Sequence, residues 1–264
     1  MIKFLEDVPD VLYKYRDWHN EYHRKLLTHR ELYFASVDQF NDPFDGTVPY
    51  RYDPAELTEE NIFRKYREMT KKEHPDWDEQ RVHEDSYEYQ RRGYFKDGHY
   101  LEEFEKWVLE TMSKQFGVVC LCRKPDNFLL WSHYANSHAG ICVGFDKYKL
   151  FEDAKCQFAH MQYQEQLPLL SLFDDVFTHF KKLIGTKSLV WEYEEEYRLT
   201  RAEFSRVKAY LRPETVVEVT LGCKMPERER FEMVEFVAAN LPHARVYEMV
   251  KSKTAFRIER MQIF

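Results

Sequence analysis

The chain has 264 residues, of which 44% are apolar and 16% aromatic, and its formal net charge is −7. This length and aromatic content predict a folded protein with a sizeable core, and they exclude a disordered or low-complexity chain. The net negative charge argues against tight binding of nucleic acid through charge alone, but it is compatible with a local basic groove.

The sequence also bears on where the protein works. No apolar run approaches the roughly 18 to 20 residues of a membrane helix, and the first residues do not resemble a signal peptide. The five cysteines are odd in number and scattered between Cys120 and Cys223, so we expect reduced thiols without a disulfide. We therefore expect a cytoplasmic protein with no membrane partner.

The first elements are predicted as strand, helix, strand, with the strands at residues 11–16 and 31–37. Lys14 and Arg16 fall on one face of the first strand and two tyrosines fall on the other. This pattern fits a surface strand, and it fits equally a basic strand at the rim of an anion-binding cleft.

A turn-rich segment, QFNDPFDG, follows the second strand at residues 39–46. Its Asn, Asp, Pro and Gly content predicts an ordered loop. We expect Asn41, Asp42 and Asp45 to hydrogen-bond the loop's own backbone, and the two phenylalanines, Phe40 and Phe44, to anchor the loop in the core.

Residues 55–116 differ from their surroundings, because they are rich in charge, poor in β-branched residues and helically spaced. Thr58 is a candidate helix N-cap and Gly93 a candidate C-terminal stop. Buried strands and short helices follow from Gly117 onward. We predict one α+β domain over residues 1–264, with an all-helical insertion at 55–116.

Cysteine and histidine are concentrated between residues 120 and 142. The spacing of Cys120, Cys122, His133, His138 and Cys142 matches no common zinc site, and strand cysteines usually pack as small core residues. We therefore predict no metal. A zinc site and a catalytic thiol at Cys122 are the alternatives.

The string WEYEEEYRL, at residues 191–199, is the most unusual in the chain. If it is one strand, every second residue from Glu192 to Arg198 shares a face, and the neighbouring carboxylates repel one another unless a cation or water compensates. One interpretation is an exposed sheet edge protected by charge. The other is a polar cleft in which Glu194 and Glu196 bind a cationic or hydroxyl-bearing substrate.

Four motifs carry a family resemblance: LYKYR, LYFASVDQFNDPFDG, VVCLCRKPDNFLLWSHYANSHAGICVGFD and WEYEEEYRL, in that order. They resemble the bacterial domain-of-unknown-function family 2971. Their order is similar to that of ADP-ribosyltransferase-like folds, which implies a split, mixed, mainly antiparallel β-sheet core and NAD as substrate.

The resemblance also implies roles for particular residues. Lys14 stands at a first-strand position that is His or Arg in such folds, and Cys122 stands at a middle position that is more often Ser. Glu194 and Glu196 stand in the late Glu-x-Glu motif, which implies that they are catalytic. The residues with an implied role in NAD binding are Lys14, Arg16, Tyr134, Cys122 and Arg198.

The function implied is NAD-dependent ADP-ribosyl transfer to a protein or nucleic-acid acceptor, as in bacterial toxins or phage-defence effectors with an antitoxin or regulator as partner. A carboxylate beside the ribose stabilises its developing positive charge, and we expect activity to depend most on Glu196. Two alternatives stay open. One is a non-catalytic nucleotide- or nucleic-acid-binding module, and the other is a nucleotide or phosphoester hydrolase using Glu194, Glu196 and His133.

Overall fold

The computed structural model describes residues 6–263, which form twelve β-strands and eight α-helices. The strands are β1 (Val11–Arg16), β2 (Glu31–Phe34), β3 (Phe116–Cys122), β4 (Ile141–Asp146), β5 (Gln157–His160), β6 (Gln162–Gln164), β7 (Thr186–Ser188), β8 (Glu196–Ala202), β9 (Val207–Tyr210), β10 (Val216–Leu221), β11 (Arg245–Lys251) and β12 (Ile258–Gln262). The α-helices are α1 (Glu21–Thr28), α2 (Glu59–Glu73), α3 (Glu79–Arg92), α4 (Gly98–Gln115), α5 (Phe128–Tyr134), α6 (Lys147–Ala154), α7 (Val176–Ile184) and α8 (Glu227–Asn240).

Eight of the strands form one sheet in the order β12-β11-β10-β4-β1-β3-β8-β5. Neighbouring strands are antiparallel except for β10 and β11, which are parallel. Two short two-stranded ladders, β2-β9 and β6-β7, lie outside this sheet. The mixed, mainly antiparallel sheet with its helices confirms the α+β fold class.

The centre of the sheet opens between β1 and β3. β1 pairs with β4 along its whole length, but it pairs with β3 only where Tyr13 faces Cys122. Beyond that point the two strands share no ladder, and Lys14 spans the gap by donating from Nζ to the Cys120 carbonyl at 2.6 Å. The site described below lies at this opening.

Residues 59–115 contain α2, α3 and α4 and contribute none of the twelve strands. Thr58 caps α2 by accepting a hydrogen bond from the Asn61 N–H, and Gly93 ends α3 with a φ of 71°. Glycine adopts this left-handed backbone conformation without strain. Across residues 6–263, no helix is long and apolar enough to cross a membrane.

Trp131 of α5 fixes the helix against the sheet beside the opening. Its indole is fully buried, lies edge-on to Tyr15 at 5.2 Å between ring centroids, and donates from Nε1 to the Pro125 carbonyl at 2.8 Å. The Asn127 side chain caps the helix by accepting from two backbone N–H groups. Helix α5 is therefore held by core packing and by its cap, as the apolar spacing of its sequence indicates.

Candidate functional site

The opening between β1 and β3 widens into a cleft of about 480 Å³. Its walls come from both strands, from the loop before Asp45, from α5 and from the segment that leads into β8. The predicted site residues that line it are Lys14, Arg16, Cys122, Tyr134, Glu194 and Glu196. Arg198 lies behind this wall, bound to Glu196. The structure thus brings together residues that are up to 184 positions apart in the sequence.

The predicted strand over residues 191–199 is wrong in its first half. Residues 189–194 form a 3₁₀ helix, Glu195 adopts a left-handed φ of 44°, and β8 begins at Glu196. The turn is closed by the Glu195 N–H, which donates to the Glu192 carbonyl. Glu192 is exposed as a result, and only Glu194 and Glu196 are buried together. The helical turn relieves the repulsion that three aligned carboxylates would produce.

The charged-edge interpretation is also wrong. β8 is not an edge strand, because it pairs with β3 on one side and with β5 on the other. Glu196 and Arg198, its first and third residues, are at most 3% exposed. Glu195 lies outside this buried group and makes an ion pair with Lys124 at the surface. The carboxylates therefore belong to the interior of the cleft.

A buried network of charges supports Glu194 and Glu196. Arg198 donates from Nε to Glu196 Oε1 at 2.6 Å and from Nη2 to Asp45 Oδ2 at 2.6 Å. Lys187 donates from Nζ to Glu196 Oε2 at 2.8 Å and to Glu194 Oε2 at 2.5 Å. Three carboxylates thus share two cations, and every member is at most 7% exposed. Such a network is tolerated in a protein interior only because its charges are paired.

The network separates the pKa values of the two glutamates. Burial disfavours ionisation of Glu196, but Arg198 and Lys187 outweigh it and hold the pKa of Glu196 at about 2. Burial raises the pKa of Glu194, and Lys187 offsets only part of that effect. Glu196 is therefore an ionised carboxylate at neutral pH, while Glu194 is the better proton acceptor. Neighbouring carboxylates with divergent pKa values are typical of acid–base sites.

Tyr134 completes the carboxylate side of the cleft. Its hydroxyl donates to Glu194 Oε1 at 2.9 Å, so both oxygens of Glu194 accept a hydrogen bond. Burial and the Glu194 carboxylate raise the pKa of Tyr134 above its ordinary value, which keeps the phenol protonated. His133, the neighbouring residue named in the hydrolase alternative, also lines the cleft.

The other side of the cleft carries two cations from β1. Lys14 is 8% exposed and Arg16 is half-buried, and within residues 6–263 no carboxylate oxygen lies within 4.0 Å of either side-chain nitrogen. Burial and the nearby Arg16 charge lower the pKa of Lys14 to about 7, and burial lowers the pKa of Arg16 to about 10. β1 is therefore a central strand that presents positive charge to a cleft, which excludes the surface-strand interpretation.

Cys122 lines the cleft as a protonated thiol. Its Sγ donates to the Lys124 carbonyl at 3.1 Å, and burial raises the pKa of the thiol far above its ordinary value. A nucleophilic cysteine needs the opposite shift. The catalytic-thiol alternative is therefore not supported. Residues 6–263 also contain no cluster of three histidine, cysteine or acidic side chains placed to hold a metal ion.

The five cysteines differ in how readily they should react. All five are free in the structure. Cys120 and Cys223 are partly exposed and the other three are buried. Burial raises the thiol pKa of Cys120 as well as those of Cys122, Cys142 and Cys156, which slows their reaction. Titration with a thiol reagent should label Cys223 rapidly in the native protein and all five thiols in denaturant. Fewer than five thiols in denaturant, or rapid labelling of Cys122 in the native protein, would contradict this assignment.

The loop at residues 39–46 has two roles rather than one. Asp42 accepts from the Phe44 N–H at 2.9 Å, as predicted for a turn residue. Asp45 instead reaches Arg198 and joins the buried network, while Asn41 lines the cleft. Phe44 is 54% exposed, so only the other phenylalanine, Phe40, anchors the loop. Long-range charge pairing at Asp45 overrides its local turn preference.

Asp42→Ala therefore tests the structural part of the loop. Loss of one local hydrogen bond should lower the free energy of unfolding by about 1 kcal/mol. The affinity of the folded variant for NAD, the ligand that the family resemblance implies, should be unchanged, because Asp42 does not line the cleft. Thermal or denaturant unfolding measures the first effect and isothermal titration the second. Abolished binding at unchanged stability would instead place Asp42 in the site.

Sequence reasoning missed Lys187 and the network role of Asp45. Lys187 precedes Glu196 by nine positions. One feature of the sequence could have indicated a buried lysine near Glu196. Neighbouring buried carboxylates require a compensating cation. In addition to Arg198, a lysine on the preceding segment is a candidate for that cation. Which lysine turns inward depends on the pairing of β7 with β6, which local sequence does not specify.

The comparisons with known proteins bear on the second half of this site. Residues 130–199 match the family model described as Protein of unknown function (DUF2971). The chain is similar to that family over this range. The matched range runs from α5 into β8 and includes Tyr134, Lys187, Glu194, Glu196 and Arg198. No curated protein and no solved structure matches the chain. The match supports the family resemblance, and it carries no activity with it.

Proposed function

We propose that the cleft binds NAD and that the protein transfers ADP-ribose from it to a macromolecular acceptor, a protein or a nucleic acid. The observation that carries this proposal is the division of charge across one cleft. Within residues 6–263, Lys14 and Arg16 have no carboxylate partner on one side of the cleft. Glu194 and Glu196 are buried together on the other. NAD has the complementary division, because it joins an anionic pyrophosphate to a cationic nicotinamide riboside.

Each end of NAD meets suitable chemistry in this orientation. Guanidinium and ammonium groups are strong partners for phosphate oxygens, and Arg16 with Lys14 supplies both. Aromatic rings bind a nicotinamide ring by stacking, and the cleft is lined by Trp191, Tyr134 and Phe40. The volume of about 480 Å³ lies within the ordinary range for small-molecule sites.

The reaction follows from the two glutamates. The bond between ribose C1′ and the nicotinamide nitrogen breaks, and its electron pair leaves with nicotinamide, which becomes neutral. The ribose acquires oxocarbenium character, which the ionised Glu196 and its partner Glu194 stabilise electrostatically. An acceptor hydroxyl or amine then attacks C1′ and transfers its proton to Glu194. Burial raises the pKa of Glu194, which favours this role.

One observation favours a second candidate, a nucleotide-binding module without catalysis. Lys187 binds both glutamates in the free protein, so part of their negative charge is already compensated. A site used only for binding would keep this arrangement. A transferase would require the ribose to share the carboxylates with Lys187.

NAD labelled in its adenylate phosphate distinguishes the candidates. The protein is incubated with this NAD and a bacterial lysate, and the products are treated separately with nuclease and with protease. Transfer predicts release of nicotinamide with label moving to material that one of the two treatments degrades. A binding module predicts saturable binding without nicotinamide release, and a hydrolase predicts turnover of nucleotides or phosphoesters without NAD. Either outcome would overturn the transferase proposal.

Lys14 makes the proposed binding depend on pH. Its pKa of about 7 means that the ammonium group is charged below that pH and loses its proton above it. Affinity for ADP-ribose, measured by calorimetry, should therefore fall as the pH rises from about 6 to 8.5. The Lys14→Met variant should bind ADP-ribose more weakly, and its affinity should not change over this pH range. A pH-independent affinity in the wild-type protein would show that Lys14 does not contact the phosphates.

A further inference from the structure

A second and larger cavity, of about 740 Å³, lies at the opposite end of β8 from the glutamates. It is a groove bounded by α7, by β5 at one edge of the eight-stranded sheet, and by the last residues of β8. Of the residues that the structure describes, none lines both this groove and the cleft between β1 and β3. We call it the edge groove.

The edge groove is basic in a protein that is acidic overall. Its lining includes Lys155, Lys181, Lys182 and Arg201, and it includes no aspartate or glutamate. Among residues 6–263, the one carboxylate within 4.0 Å of these four cations is Asp174, 3.9 Å from Lys182. Four cations therefore surround one cavity whose lining carries no carboxylate, in a chain with a net charge of −7. Such segregation is the electrostatic footprint of a polyanion site.

Aromatic side chains line the same groove as these cations. Phe177, at the start of α7, is 44% exposed, and Lys181 of the next helical turn lies over its ring at 4.5 Å from the centroid. Phe158 of the edge strand is half-buried in the same groove. Exposed aromatic faces beside cations bind nucleobases by stacking while the cations bind the phosphates.

We infer that the edge groove binds a single-stranded nucleic acid. The phosphates would lie along Lys155, Lys181, Lys182 and Arg201, and a base would stack on Phe177. A duplex would present only its outer backbone to this groove and would leave the aromatic rings unused, because its bases are paired and stacked internally. An acidic peptide would pair with the cations but would offer no planar base to stack on Phe177. The observations therefore favour unpaired nucleotides.

The test uses fluorescence anisotropy of the full chain with a labelled oligouridylate of about twelve nucleotides, within the usual site sizes for single strands. Four phosphate contacts predict a slope of about −3 for log affinity against log salt, or a loss of about fifty-fold between about 50 and 200 mM salt. The double variant Lys155→Gln/Lys181→Gln should halve the slope. The matched control, Lys251→Gln/Lys253→Gln, removes two exposed lysines near the opposite edge of the sheet and should bind as wild type.

Phe177→Ala separates nucleic acid from other polyanions. It should weaken oligouridylate binding by about tenfold, the scale of one stacked base, and should leave binding of polyphosphate unchanged. Thermal melts confirm that each variant is folded. The inference is overturned if oligouridylate does not bind at low salt, or if the groove and control variants weaken it equally. It is also overturned if polyphosphate or an acidic peptide binds as tightly and Phe177→Ala has no effect. These readouts need no NAD, so they are independent of the transferase test.

Discussion

Glu194→Gln is expected to bind NAD and to lose about 10²–10³-fold in the rate of nicotinamide release, the usual effect of removing one preorganised group that stabilises transition-state charge. The amide keeps the shape of the side chain, and its one carbonyl oxygen can still accept from Tyr134 or from Lys187. Lys187 also keeps its bond to Glu196, so the fold should persist. It cannot carry negative charge beside the ribose or take the acceptor's proton. Steady-state release of nicotinamide measures the effect.

Glu195→Gln is the matched control, because it removes the same charge from the adjacent position. Glu195 pairs with Lys124 at the surface and lies outside the buried network. Its variant should keep turnover within about twofold of wild type, since exposed pairs contribute little. An inactive Glu195→Gln beside an active Glu194→Gln would contradict the assigned geometry. Two active variants would make the carboxylates structural and would end the transferase proposal.

Arg198→Met is expected to lower the free energy of unfolding by about 3–5 kcal/mol, because it leaves Glu196 and Asp45 buried without their shared guanidinium. The control is Arg206→Met, which breaks an exposed ion pair with Asp38 and should cost less than about 1 kcal/mol. Denaturant unfolding measures both. A loss below about 1 kcal/mol for Arg198→Met would show that the network does not stabilise the fold.

The same network predicts that the stability of the folded protein depends on pH. The folded pKa of Glu196, about 2, is lower than its ordinary value of 4.5, so its ionisation stabilises the folded protein above about pH 4.5. This contribution should decline as the pH falls from about 4.5 to 2, and the stability difference between wild type and Arg198→Met should narrow with it. Glu196→Gln should also lose turnover, as the sequence predicts. Because Glu196 accepts from both Arg198 and Lys187, this change disturbs the network more than Glu194→Gln does and mixes the catalytic effect with a loss of stability.

The sequence predicted those features that depend on local patterns. Helical spacing and caps identified the α2 to α4 region, and β-branched content identified the central strands. Motif order predicted that Lys14, Tyr134 and Glu196 belong together, and the structure places all three at one cleft. Their grouping was implied by the family resemblance, which fixes the order of the motifs, and not by the local signal of any one element.

The features that sequence reasoning missed depend on long-range pairing. The 3₁₀ turn before Glu196 has the same alternating charges as a strand, and the buried carboxylate pair alone does not reveal the backbone conformation. Asp45 occupies a turn-rich loop yet pairs with Arg198, which is 153 positions away in the chain. Such contacts are decided by tertiary packing, which overrides the preference of a short polar residue for its own backbone.

A crystal structure of Glu194→Gln with NAD would show whether NAD occupies the cleft in the proposed orientation, since the slow variant should retain the intact substrate. The pyrophosphate should lie within hydrogen-bond distance of Arg16 and Lys14, and the nicotinamide ribose should lie beside Tyr134 and position 194. NAD bound outside this cleft, or with its adenosine at the carboxylates and its nicotinamide toward β1, would contradict this proposal.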